Sequence, residues 1–157
     1  KGERLINMDS QIPNKVVEEW LKTGDFFCDL ISVRPETTYG NSRFDFYVET
    51  LKEKIFIEVK GVTLEENGYV RFPDAPTERG IKHINSLIDA VNNGYKAAVF
   101  FVIQMENAVS FSPNYDTQPQ FGEVLKKAEK AGVKILAYSC KVMPDSLEID
   151  KPVSVIL

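Results

Sequence analysis

A chain of 157 residues, 43% hydrophobic and 27% charged, has the size and composition of a globular domain that buries a core without disulfides or a structural metal. No apolar run approaches the ~18 residues that span a bilayer, and no charged-then-apolar leader opens the chain, so the sequence predicts a cytoplasmic protein outside the membrane. A net charge of −4 argues against a strong nonspecific grip on nucleic acid, although local cations or a metal site would still recruit phosphate.

The domain organisation predicted from the sequence is a single unit, 1–157. Its interior contains no repeat, low-complexity tract or Pro/Gly-rich linker. The two cysteines, Cys28 and Cys140, lie far apart and lack Cys-x-x-Cys spacing. We therefore expect two buried free thiols in a reducing compartment rather than a disulfide.

The first half of the chain predicts a helix followed by three strands. Residues 14–22 carry apolar side chains at helical spacing, with Asn14 as the expected cap. Residues 26–33 have the composition of a mostly buried strand, and 43–49 and 54–61 both alternate with period two. Because the link between the last two is short, they should form an antiparallel hairpin.

The second half alternates helices with strands. An irregular stretch with two prolines precedes a predicted helix over 78–92, which is followed by an almost continuous apolar strand over 97–103. A second amphipathic helix over 119–131 leads into a strand over 134–139, and 152–157 adds an edge strand. This order implies crossover connections and an α/β fold: a central mixed sheet with helices on both sides.

Three charged residues of the predicted hairpin share one face. Alternation places Asp45 on the same face as Glu58 and Lys60, while the intervening apolar residues fill the core side. One register sets Asp45 opposite Glu58 with 51–52 as the turn; another sets Asp45 opposite Lys60 with a four-residue turn. In both registers the three groups lie within cross-strand reach of roughly 5–8 Å.

These residue types suit a divalent metal site. Two adjacent carboxylates repel each other, and a hard cation such as Mg²⁺ or Mn²⁺ relieves that repulsion through oxygen ligands. In this interpretation Asp45 is the central ligand, Glu58 the second, the Val59 carbonyl a third, and Lys60 positions water or stabilises developing charge. The alternative is a structural salt bridge on an exposed sheet face, contributing about 0–1 kcal/mol.

A basic stripe follows on the helix over 78–92. Arg79, Lys82 and His83 are spaced i, i+3 and i+4 near the helix start, where free amide groups also attract anions. The stripe would suit a phosphate backbone; the alternative is a solvated basic face. His83, the only histidine, is expected to be a hydrogen-bonded surface residue rather than a metal ligand.

Several motifs resemble the sugar fermentation stimulation protein A family. The resemblance is carried by three runs and continues to about residue 140, and the last of the runs is the most specific: YGNSRFDFYV (39–48), FIEVKGVTL (56–64) and RFPDAPTERGIKH (71–83). That family resembles the PD-(D/E)XK nuclease superfamily, whose core of a helix, three strands, a helix and a strand matches the order derived above. The resemblance also implies that the family's OB-like N-terminal half is absent from this chain.

The resemblance also implies roles for individual residues. Asp45, Glu58 and Lys60 would be the superfamily's D, E and K, and Glu36 would join the metal site. The cleft would be lined by Arg79, Lys82, His83 and Gln104.

The sequence thus favours a restriction-endonuclease-like core. Its expected function is that of a Mg²⁺- or Mn²⁺-dependent phosphodiesterase that acts on nucleic acid, with DNA as the favoured substrate. Arg43 is included among the candidate nucleic-acid contacts. The alternative is a DNA-binding regulator of sugar-utilisation genes without catalysis, a role implied by the resemblance. Assembly as a homo-oligomer is left open.

Overall fold

Alternating helices and strands make up the fold. A computed structural model describes residues 11–157. Its helices are α1 (Ile12–Lys22), α2 (Glu78–Asn92) and α3 (Pro119–Ala131). Its strands are β1 (Leu30–Tyr39), β2 (Ser42–Thr50), β3 (Lys54–Val62), β4 (Leu64–Glu66), β5 (Tyr69–Phe72), β6 (Lys96–Ile103), β7 (Ser110–Pro113), β8 (Lys134–Met143), β9 (Ser146–Pro152) and β10 (Ser154–Val155).

The central sheet has six strands in the order β1-β2-β3-β6-β8-β9. The β1–β2, β2–β3 and β8–β9 pairs are antiparallel, and the β3–β6 and β6–β8 pairs are parallel. The prediction of a central mixed sheet in an α/β fold is therefore confirmed. A second sheet, in the order β10-β7-β5-β4, was not predicted, because its strands have only two to four residues each and fall mostly in stretches read as irregular.

Helices cover both faces of the central sheet. One core cluster joins α2 and α3 to the sheet and includes Leu87, Phe101 and Phe121. The other lies beneath α1 and includes Val17 and Phe100. Successive residues of β6 thus point into opposite cores, as the pleat of a strand requires. Burial of each of these side chains stabilises the fold by about 1.5–3 kcal/mol relative to exposure.

Several element boundaries differ from the prediction. Strand β8 continues to Met143 instead of ending at 139, and in place of one edge strand over 152–157 the chain forms β9 (Ser146–Pro152) and the two-residue β10 (Ser154–Val155). Helix α1 begins at Ile12 with Pro13 in its first turn, a position that tolerates the missing N–H, so Asn14 lies inside the helix and does not cap it. Strand β1 runs over 30–39 instead of 26–33, because Phe26 belongs to the turn before the strand, where its ring packs 4.9 Å from Trp20. The predicted bounds of α2 and α3 are confirmed.

The β2–β3 hairpin adopts the first of the two registers considered. Phe46 pairs with Ile57 and Val48 with Ile55, which makes 51–52 the turn and sets Asp45 towards Glu58. The expectation that the hairpin face with Asp45, Glu58 and Lys60 is exposed is wrong, however. Because helices cover both faces, Glu58 is only 3% exposed, so its cluster is not a surface salt bridge.

Both cysteines are free thiols, as predicted, but only Cys140 is buried; Cys28 is exposed. Burial raises the pKa of the Cys140 thiol to about 12, with a smaller contribution from the charge of Asp150. Among the helices of residues 11–157, none combines the length and apolar composition required to cross a bilayer.

Candidate metal centre

Asp45 occupies the point where β2 and β3 separate. The pairing between the two strands ends at Phe46 and Ile57, which leaves the Val59 amide, two residues further along β3, free to bind a side chain. The Asp45 carboxylate uses it: Oδ2 accepts a hydrogen bond from the Val59 N–H at 2.7 Å. Its other oxygen, Oδ1, accepts from the Asn14 side-chain amide of α1 at 2.9 Å. Asp45 is thus held half-buried between the sheet and α1.

The two oxygens of Glu58 have different surroundings. Oε2 accepts a hydrogen bond from His83 Nδ1 and lies 3.1 Å from Lys60 Nζ. Oε1 is buried and has no hydrogen-bond partner among residues 11–157. An unsatisfied buried carboxylate oxygen costs free energy and requires an explanation, of which a bound ion is one.

The pKa values of the two acids move in opposite directions. Burial, followed by the negative charge of Glu58, raises the pKa of Asp45 from 3.8 to about 6. Burial alone would also raise the pKa of Glu58, but the hydrogen bond from His83 and the charge of Lys60 outweigh it and lower that pKa. Burial and, to a smaller extent, repulsion by Glu58 therefore make Asp45 a weaker acid than usual, and a divalent cation between the two carboxylates would offset that repulsion.

Lys60 is more accessible than Glu58. Its side chain is 15% exposed, whereas that of Glu58 is 4% exposed. The ammonium group therefore reaches from the buried carboxylate towards solvent. Val59, whose carbonyl was a predicted ligand, is buried between Glu58 and Lys60 in β3.

Glu36 stands at the rim of the site. It shares a cavity of about 450 Å³ with Asp45, between α1 and the first two strands, and Lys15 also lines that cavity. Its side chain is 71% exposed, and Oε2 lies 3.9 Å from an Arg43 guanidinium nitrogen. Glu36 is thus near Asp45 but is not held in the buried cluster.

The predicted basic stripe on α2 is only partly exposed. Arg79 and Lys82 are exposed, and Lys82 Nζ donates a 2.8 Å hydrogen bond to the Asn41 carbonyl. His83 is 5% exposed, so its expected surface location is wrong: this face of α2 packs against the sheet. Its position one residue from Lys82 and one from the apolar Ile84 left its face ambiguous in the sequence.

Gln104, predicted to line the cleft, is 4% exposed and follows β6. A Cβ atom on Gly61 would lie 2.6 Å from its side-chain nitrogen, so Gln104 packs directly against β3 beyond Lys60. Its Oε1 has no hydrogen-bond partner in the part of the chain that the structure describes.

The side-chain donors available to a metal are limited. Among residues 11–157, no three His, Cys, Asp or Glu side chains converge as a metal-ligating group. Asp45 and Glu58 are the close pair, and a backbone carbonyl and water would have to complete the coordination. Such a set is typical of Mg²⁺, which takes one or two carboxylates and keeps several waters.

Fold and site together define a mixed α/β protein whose central sheet carries a carboxylate pair and a lysine where two antiparallel strands separate. The family model described as "Sugar fermentation stimulation protein RE domain" matches residues 11–146. The chain belongs to the sugar fermentation stimulation protein (SfsA) family.

Relatives support this membership. The chain is 58% identical over its whole length to a sugar fermentation stimulation protein homolog of Clostridium beijerinckii, of which it covers 70%. It is 56% identical over 155 residues, or 99% of the chain, to a homolog of Ruminiclostridium cellulolyticum, of which it covers 69%. A solved structure, Pyrococcus furiosus SfsA in complex with Ca²⁺, superposes with a TM-score of 0.78 at 29% identity. That match covers 90% of this chain and 61% of the P. furiosus chain, so the chain spans less than two thirds of the solved protein.

Proposed function

We propose that this chain is a divalent-metal-dependent phosphodiesterase domain that acts on nucleic acid, with DNA as the favoured substrate. The observation that carries the proposal is the buried, unpartnered Oε1 of Glu58 beside a second carboxylate, Asp45, whose pKa is raised to about 6. Both features describe a site that gains free energy when a cation enters it. The P. furiosus relative, described in complex with Ca²⁺, adds support for a divalent ion in the family.

The proposed metal ligands are Asp45, Glu58 and the Val59 carbonyl, with Glu36 joining from the rim. Mg²⁺ or Mn²⁺ bound there would polarise a phosphoryl oxygen and lower the pKa of a water. Lys60, 3.1 Å from Glu58 and partly accessible, would orient the attacking water and offset charge developing on the phosphate.

This assignment makes the core restriction-endonuclease-like. With the short strands β4 and β5 set aside as an insertion between β3 and α2, the order α1, β1, β2, β3, α2, β6 supports a PD-(D/E)XK core, in which Asp45, Glu58 and Lys60 would be the D, E and K. α3 and β8 form an extra helix–strand unit. We treat 1–157 as one nuclease-like domain, and assign additional nucleic-acid affinity to the part of the relatives that this chain does not span.

Exposed cations would hold the nucleic-acid backbone. Arg43 lies near the Asp45 cavity, and Arg79 and Lys82 lie at the start of α2, whose other face carries the Glu58 partner His83. Each contributes positive charge to the phosphate backbone without base specificity. Gln104 packs against Gly61 of β3 and is almost fully buried, so its proposed contact with a nucleotide would require the side chain to become accessible when nucleic acid binds.

A nicking assay tests the proposal. Supercoiled plasmid is incubated with the protein and Mn²⁺, Mg²⁺ or EDTA, and the variant Lys60→Ala is compared with Lys127→Ala, which removes an exposed lysine of α3. We expect metal-dependent nicking by the unaltered protein and by Lys127→Ala, with a loss of at least about 100-fold for Lys60→Ala. Equal nicking by both variants would contradict the role of Lys60.

The competing function is a DNA-binding module without catalysis. It is favoured by the small donor set, which contains only two converging carboxylates among the described residues, and it matches the regulatory role inferred for the family. The same plasmid gel separates the two functions. DNA that is retarded but uncut under every metal condition would favour the regulator, and nicked DNA favours the enzyme.

A further inference from the structure

We propose that His83 is a positioning residue that holds Glu58 by one carboxylate oxygen and so presents the other to the metal. The inference rests on the proposed metal site. It assigns His83 to Glu58 instead of to the direct nucleic-acid contact that was predicted for this residue. Its basis is the geometry at Glu58: His83 and Lys60 both contact Oε2, whereas Oε1 is buried without a hydrogen-bond partner among residues 11–157 and lies on the carboxylate that faces Asp45. The carboxylate is therefore oriented before any ligand arrives.

The helix that carries His83 is fixed to the sheet. Its first turn is capped by Thr77, whose hydroxyl accepts from the Gly80 N–H at 2.9 Å. Lys82 bonds the Asn41 carbonyl, and one turn later Ser86 contacts the Ser42 hydroxyl at 2.5 Å. These anchors along one side of α2 set the rotation of the helix and aim His83 at β3.

Two donors on one oxygen allow a division of roles. The side chain of His83 is 6% exposed and short, so it has little freedom to leave Glu58. Lys60 is longer and 15% exposed, and can turn towards water or phosphate during the reaction. His83 would then keep Glu58 in place when Lys60 swings away. Because a carboxylate only accepts hydrogen bonds, Nδ1 of His83 must carry the proton.

Residues that orient metal ligands typically change metal affinity by 10–100-fold when they are replaced. The chain allows a matched set of variants. In His83→Asn the amide nitrogen occupies the position of Nδ1 and keeps the donor; in His83→Gln the amide lies one bond further out, nearer to the position of Nε2. His83→Leu removes the donor while retaining bulk.

The test measures Mn²⁺ affinity by calorimetry on the 157-residue chain, together with metal-free thermal unfolding and DNA retention in EDTA. We expect affinity close to that of the unaltered chain for His83→Asn, and a loss of about 10–100-fold for His83→Gln and His83→Leu. If His83→Leu fails to fold, the comparison of His83→Asn with His83→Gln still tests the inference. A purely structural role of His83 would not make Mn²⁺ affinity depend on where the amide donor lies.

Three outcomes would overturn the inference. If His83→Asn and His83→Gln bind Mn²⁺ with equal affinity, a donor at the position of Nδ1 is not required to orient Glu58. Unchanged Mn²⁺ affinity with loss of DNA retention in His83→Leu would make the residue a nucleic-acid contact. Absence of Mn²⁺ binding by the unaltered chain would refute the metal site itself, and so is distinguishable from a failure confined to His83.

Discussion

Replacing Asp45 by asparagine should stabilise the metal-free protein. The charged form of Asp45 is penalised by burial and by repulsion from Glu58, which raises its pKa from 3.8 to about 6. An acid with a raised folded-state pKa contributes stability below its unfolded pKa, and that contribution is lost as the pH rises through about 6. At pH 7 the fold therefore carries an ionised, disfavoured carboxylate that the neutral amide would remove.

The size of the effect follows from the pKa. A shift from 3.8 to about 6 corresponds to about 3 kcal/mol, at about 1.4 kcal/mol per pKa unit. Asparagine has one acceptor oxygen, so it can keep only one of the hydrogen bonds from Val59 and Asn14, a loss of about 1 kcal/mol. The net gain is about 1–2 kcal/mol, or about 2–8 °C in Tm for a chain of this size.

The assay is thermal unfolding in EDTA between pH 4 and pH 8, with Asp145→Asn at an exposed position as the control. The stabilisation by Asp45→Asn should be present at pH 7 and vanish towards pH 4, where the native carboxyl is protonated. With Mn²⁺ the order should reverse, because the unaltered chain gains binding free energy that the variant lacks. If Asp45→Asn is no more stable than the unaltered chain at pH 7 and the difference does not depend on pH, the repulsion argument is refuted.

Three further predictions concern thiol reactivity, packing and a helix cap. One thiol, Cys28, should react with a disulfide reagent at pH 8 in the native protein and a second, Cys140, only after denaturation, because burial raises the Cys140 pKa to about 12; two rapid native reactions would contradict this. Gly61→Ala should lower the free energy of unfolding by about 1–3 kcal/mol in a denaturant titration, because the new Cβ would lie 2.9 Å from Cγ of the Pro13 ring in α1 and 2.6 Å from the buried Gln104 amide nitrogen. An unchanged free energy of unfolding would contradict this packing. Thr77→Ala should cost about 1 kcal/mol through loss of the α2 cap, whereas Thr77→Ser should cost less.

The hairpin could be predicted from the sequence because its information is local. Alternation of charged with apolar residues around Asp45 and Glu58 indicates both strands, over 43–49 and 54–61, and the inward set of apolar residues restricts the register. The helices over 78–92 and 119–131 were likewise defined by apolar period and flanking signals. These elements carry Asp45, Glu58 and Lys60, so the membership of the cluster was predictable.

The surroundings of the cluster could not be predicted, because they depend on contacts between distant residues. The exposure of Glu58 depends on whether α1 and α2 cover one face of the sheet or both. Alternation within a strand does not indicate which of these arrangements the helices adopt. Asn14 has the residue type of a helix cap, but it donates to Asp45, 31 positions away. His83 lies beside an exposed lysine on the helix, and only the rotation of α2 places it against Glu58.

The metal site at Asp45 and Glu58 can be tested directly by soaking a crystal of the chain in Mn²⁺ and measuring anomalous scattering. A cation held by the carboxylate pair should give a peak within about 2.5 Å of Glu58 Oε1 and of an Asp45 carboxylate oxygen. The peak should disappear from crystals of Glu58→Gln. The absence of a peak at this position, or a peak that involves neither carboxylate, would show that Asp45 and Glu58 do not form a metal site.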